Sequence, residues 1–78
     1  MNSFQHIEAN PAVLGGKPCI KGTRISVEFI LELVASGASI DDIVKSYPHL
    51  SKDGVQEAIL YAAQFSKNEV LLKIKAVA

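Results

Sequence analysis

The sequence predicts a mainly α fold. A short N-terminal β-hairpin leads into three helices, the second and third joined as a helix-turn-helix, and a C-terminal tail follows. Three observations carry this prediction. Turn-forming pairs crowd the first 26 residues, where Asn10-Pro11, Gly15-Gly16, Lys17-Pro18 and Lys21-Gly22 all fall. From Ser26 onward the apolar residues recur at helical rather than alternating spacing. The first two helical stretches are also bracketed by a capping residue and a stop signal, and the third opens at a cap.

The elements follow in order. Pro18-Cys19-Ile20 and Thr23-Arg24-Ile25 are β-leaning runs separated by Lys21-Gly22, whose glycine tolerates positive φ, so a tight hairpin is expected. The first helix starts at a Ser26 cap, carries Val27, Ile30, Leu31, Leu33 and Val34 as its apolar stripe, and leaves Glu28 and Glu32 outside. Gly37 supplies its left-handed stop. Ser39 starts the second helix, with Asp41 and Asp42 at the favourable end of the helix dipole. Ile40, Ile43, Val44 and Tyr47 form its buried side, and Pro48 ends it. Ser51 caps the third helix. Its apolar stripe is Val55, Ala58, Ile59, Ala62 and Phe65, and its wet face Lys52, Gln56, Glu57 and Gln64. Gly54 costs about 1 kcal/mol against alanine in a helix interior, which the first turn tolerates. Beyond Asn68, Val70, Leu72 and Ile74 alternate with Leu71, Lys73 and Lys75, which favours an extended tail; Val70, Ile74 and Val77 equally suit a continued helix. The organisation is one helix-turn-helix domain with its hairpin over 1–67 and a partner-binding tail over 68–78.

Composition narrows the function classes. A chain of 78 residues has room for one small core, which excludes a multidomain enzyme. It is 49% hydrophobic without counting glycine, whereas globular domains reach roughly 45–50% with glycine included; the surplus is expected to meet a partner. No apolar run approaches the length of a membrane span, so no segment spans a bilayer and no membrane partner is expected. The N-terminus lacks the basic and apolar regions of a secretory signal, and the lone Cys19 suits a reducing compartment, so a cytoplasmic protein is expected. Eight basic and eight acidic residues cancel overall but not locally. Lys17, Lys21 and Arg24 outweigh Glu8 at one end, and Lys67, Lys73 and Lys75 outweigh Glu69 at the other. Between them lie Glu28, Glu32, Asp41, Asp42, Asp53 and Glu57 against Lys45 and Lys52. Neutral totals can hide a basic face.

In helix-turn-helix geometry the third helix offers its early exposed residues to the major groove. Here those are Ser51, Lys52, Asp53, Gln56 and Glu57. Gln56 can read adenine, and Lys52 can meet guanine or phosphate. Asp53 and Glu57 oppose the DNA backbone, so affinity has to come from Lys17, Lys21, Arg24 and Lys45, or from a homodimer. The alternative is a three-helix protein-interaction unit that never touches DNA. Arg24 has two uses: tying the hairpin to Glu28 or Glu32, which is favoured because the acidic helix follows at once, or clamping a phosphate.

Other constellations fail. Gly15-Gly16-Lys17 is followed by Pro18 where a phosphate loop needs Ser or Thr. His6, His49 and Cys19 lack zinc-type spacing, so no metal or other cofactor is expected. His49 reads as solvent-facing or capping, and Cys19 as a small apolar filler. Nothing assembles an acid, a base and a substrate cavity, so no catalytic residue is assigned and no enzyme activity is expected.

Together, Asn10-Pro11, Gly16-Lys17-Pro18-Cys19-Ile20, Gly22-Thr23-Arg24-Ile25-Ser26-Val27, Tyr47-Pro48-His49-Leu50 and Tyr61-Ala62-Ala63 resemble the domain-of-unknown-function family 433, from about Ile7 to Ala63. Cys19, where Val or Cys is common, and Ser26, where Pro is common, are mild departures. The resemblance implies a homeodomain-like or winged-helix-like fold. It also implies a VapB-like antitoxin role, with a PIN-like ribonuclease toxin as partner and operator DNA of its own promoter as target. On that expectation the tail binds the toxin. Lys73 or Lys75 reaches the carboxylates that hold the nuclease metal, and Val70, Leu72 and Ile74 add apolar contact.

Overall fold

The computed structural model describes residues 4–65. The tail residues Val70, Leu72, Lys73, Ile74 and Lys75 lie outside them. The elements run β1 (Ile7–Glu8), β2 (Cys19–Ile20), α1 (Val27–Ala35), α2 (Ile40–Ser46) and α3 (Lys52–Phe65). The chain is mainly helical, with a short antiparallel pair of strands ahead of three helices.

The strand pairing differs from the expected hairpin. β2 pairs with β1, Ile7 opposite Ile20 and Glu8 opposite Cys19, across the loop between them. The Lys21-Gly22 turn does form: Gly22 has φ +79°, and the Thr23 N–H donates to the Ile20 carbonyl at 3.0 Å. Its returning arm, however, amounts to a single bridge between Cys19 and Ser26. Two commitments stop it from becoming a strand. The Thr23 hydroxyl donates to the Ile20 carbonyl and accepts from the Ile25 N–H, which curls the arm. Ser26 is already the cap of α1, its Oγ accepting from the Phe29 N–H at 2.9 Å. Ile7 instead brings apolar surface to the free edge of β2 and packs on the core.

The helix boundaries follow their signals. At the end of α1, the Gly37 N–H donates to the Val34 carbonyl and the Ala38 N–H to that of Leu33, both at 3.0 Å, with Gly37 at φ +105°. These two hydrogen bonds close the last turn through a left-handed conformation that glycine adopts without a Cβ penalty. Ser39 and Asp42 cap α2 reciprocally, each side chain accepting from the other's backbone N–H at 3.0 Å. Ser51 caps α3 through Gly54, whose N–H it accepts at 2.9 Å.

α3 packs against α1, α2 and both strands. Its buried residues, Val55, Ala58 and Ala62, face Ile30 and Leu31 of α1, Ile43 of α2, Leu50 of the intervening turn and Ile20 of β2 in one core. Alanines at adjacent turns let the neighbouring helix approach closely. Ile40, Val44, Tyr47 and Ile59 pack on the core while partly exposed. Among the described residues no buried polar side-chain atom lacks a partner.

Candidate nucleic-acid interface

The helix-turn-helix is α2, the turn through Tyr47–Ser51, and α3. Burying one side of α3 leaves Lys52, Asp53, Gln56, Leu60, Ala63 and Gln64 exposed along the other. Leu60 is half exposed, so the outer stripe is polar at its start and apolar further on. The first turn and Gln56 are therefore the part suited to base edges.

The expected DNA-contacting residues separate into three groups. Lys17 pairs with Glu28 at 3.3 Å, and Lys52 pairs with Asp41 at 2.9 Å. Both pairs are well exposed, hold weakly and can yield to a phosphate. The Asp41 carboxylate, as hydrogen-bond partner, raises the Lys52 pKa above its usual value. Ser51 is exposed, and its hydroxyl oxygen accepts the Gly54 N–H at the cap of α3. Lys21, Arg24, Lys45 and Gln56 are exposed and have no side-chain hydrogen bond or ion pair among the described residues.

Arg24 corrects a sequence expectation. Among the described residues it forms no ion pair with Glu28 or Glu32; Lys17 pairs with Glu28 instead.

Lys21 sits close to α3 through a relay of backbone and side chain. Its amide donates to the His6 carbonyl at 2.7 Å, and His6 in turn contacts Glu57 in the middle of α3. The His6 N–H donates to Glu57 Oε1 at 2.9 Å, and His6 Nδ1 lies 2.7 Å from Oε2. The two-strand sheet is thereby fastened to α3. Lys45, on the last turn of α2, is not part of this relay.

Glu57 is the second correction. Placed on the wet face by periodicity, its side chain is only 22% exposed, with both oxygens engaged. The His6 amide, which donates to its carboxylate, holds the Glu57 pKa below the usual carboxylate value. Asp53 remains exposed. The pairing was invisible in the sequence because 51 positions separate the partners and neither flank carries a signal.

The remaining candidates behave as small structural parts. Cys19 is buried, its thiol donating to the Lys17 carbonyl, and burial pushes its pKa up, which disfavours the reactive thiolate. His49 is exposed in the turn, its ring edge-on to Tyr47 at 6.5 Å. Leu14, Gly15 and Gly16 all have positive φ, a left-handed turn in the loop joining the strands and not a phosphate cradle. No cluster of metal-ligating side chains occurs among the described residues, and none of their helices is long and apolar enough to cross a membrane.

The family described as "Protein of unknown function (DUF433)" matches residues 7–62. An uncharacterized protein of Sinorhizobium fredii, y4eO, is 32% identical over 56 residues, which is 72% of this chain and 25% of that protein. The chain thus spans a quarter of the length of the curated relative it matches. A crystal structure of a DUF433 member protein from Anabaena variabilis superposes with a TM-score of 0.67 at 30% identity, covering 90% of this chain and 68% of the other.

Proposed function

We propose that this chain, which belongs to the DUF433 family of proteins of unknown function, is the DNA-binding antitoxin of a toxin–antitoxin pair. It reads operator DNA through α3 and neutralises a PIN-like ribonuclease through its tail. The observation that carries the DNA half is the exposed start of α3, where Lys52 and Gln56 follow a short turn from α2 while the opposite side is buried. In that arrangement Gln56 meets a base edge, and Lys52, Lys21 and Arg24 meet phosphates on either side of it. The contact of Glu57 with His6 turns one of the two acidic groups of α3 toward the N-terminal segment. The antitoxin half is supported by the sequence: the basic and apolar tail of Val70, Leu72, Lys73, Ile74 and Lys75, and the family resemblance. A homodimer supplies the second DNA half-site.

Fluorescence anisotropy with a duplex from upstream of the coding sequence tests the DNA reading. Gln56→Ala is expected to cost about 1–3 kcal/mol on that duplex and nothing on a shuffled one. Equal loss on both, or no binding by the wild type, favours an interaction module without a DNA role. Co-expression with the neighbouring nuclease tests the tail: deletion of residues 69–78 is expected to abolish protection while the core stays folded, and full protection by the truncated chain contradicts the role.

A further inference from the structure

The N-terminal segment runs along α3 as a strap. Phe4 lies edge-on to Tyr61 at 5.5 Å, and His6 meets Glu57 through both backbone and ring. A Cβ built on Gly54 would come 3.7 Å from His6 Cβ. Tyr61, Glu57 and Gly54 follow one another up successive turns of the same side of α3. Because Lys21 also donates its amide to the His6 carbonyl, His6 is fixed between β2 and α3.

We propose that His6 is a positioning and charge-compensating residue of the α3 surface, its protonation deciding whether mid-α3 presents a net negative charge to a polyanion. The inference rests on the DNA reading proposed above and adds its regulation. With the imidazole protonated, His6 and Glu57 cancel. With it neutral, the carboxylate beside Gln56 is uncompensated. It also cannot turn away, because the His6 N–H holds its other oxygen at 2.9 Å whatever the state of the ring. The charged groups on the elements around His6 are Glu8 on β1, Lys21 just after β2, and Lys52, Asp53 and Glu57 on α3. Of these Glu57 is the one in contact with the imidazole among the described residues. His49, in the turn before α3, is the other histidine of the chain and faces Tyr47.

The test uses the full chain, a labelled duplex from upstream of its coding sequence and a shuffled duplex, at about pH 5.5 and about pH 8 and constant salt. Wild type is expected to bind roughly 3–10-fold more weakly at the higher pH, the effect of one charge at the interface. His6→Gln binds weakly at both values; His6→Arg and Glu57→Gln bind tightly at both; His49→Gln keeps the wild-type response. Amide NMR spectra establish that each variant is folded, and His6→Arg carries the test if His6→Gln is not. Parallel pH profiles for wild type, His6→Arg and Glu57→Gln overturn the role of His6 while leaving the DNA reading in place. Absence of binding to either duplex at both pH values overturns the DNA reading itself, and the inference with it.

Discussion

Glu57 carries its charge on the side of α3 next to Gln56, and His6 holds both of its oxygens. The His6 amide hydrogen bond, the largest influence on this carboxyl, lowers its pKa from the ordinary 4.5. A carboxyl depressed by folding contributes stability above its unfolded pKa and loses that contribution as pH falls through the lower folded value. The urea midpoint is therefore expected to drop on acidification below pH 4.5, and Glu57→Gln to flatten that limb. Identical acid limbs for the two proteins contradict the pairing. Gly54 is the second residue whose neighbours decide its role. A Cβ there would lie 3.2 Å from Ser51 Oγ and 3.6 Å from Ile20 Cγ2. Alanine normally gains about 1 kcal/mol over glycine within a helix, but here it crowds the hydroxyl that caps α3. Gly54→Ala is expected to leave stability unchanged or reduced, and Gly54→Val to cost about 2 kcal/mol by overpacking. Urea titration measures both; a stabilised Gly54→Val would contradict the close packing of β2 on α3.

The helices form where local signals agree with one another. Ser26, Ser39 and Ser51 each accept from a backbone N–H at a helix start. Ser39→Ala removes one side of a reciprocal cap and is expected to cost about 1 kcal/mol in chemical denaturation. These starts, the Gly37 stop and the buried sides of all three helices were legible because capping and 3.6-residue periodicity act within a few residues. β1 was not. Ile7–Glu8 is too short to alternate, and its pairing is fixed by packing Ile7 against residues distant in the chain. The Arg24 expectation failed for a related reason. Proximity in sequence favoured Glu28, but the turn brings Lys17, 11 residues away, to that carboxylate. In the candidate interface, the exposure of Lys52 and Gln56 was readable from helical phase, whereas the contact of Glu57 with His6 needed the tertiary fold.

At the scale of the molecule, one core supports both the fold and the exposed start of α3. Ile30, Ile43 and Val55 are its most deeply buried large side chains, one from each helix. Proteins are stable by about 0.05–0.15 kcal/mol per residue, so a chain this small has little reserve. Ile30→Ala, at about 2–5 kcal/mol, is expected to remove a large share of it and lower the thermal midpoint sharply by circular dichroism. The charge balance takes on a spatial meaning too. Lys21 and Arg24 lie on the turn that follows β2, and Glu28, Glu32, Asp41 and Asp42 lie on α1 and α2, with Asp41 paired to Lys52 at the start of α3. On the proposed DNA reading, a polyanion meets Lys21, Arg24 and Lys52, the last by exchanging Asp41 for a phosphate. Amide NMR of the labelled full chain, titrated with the upstream duplex, tests this most directly. The predicted result is that shifts concentrate at Lys21, Arg24 and Ser51–Gln56 and fade with salt. Shifts centred on the acidic face of α1, or none at all, would contradict it.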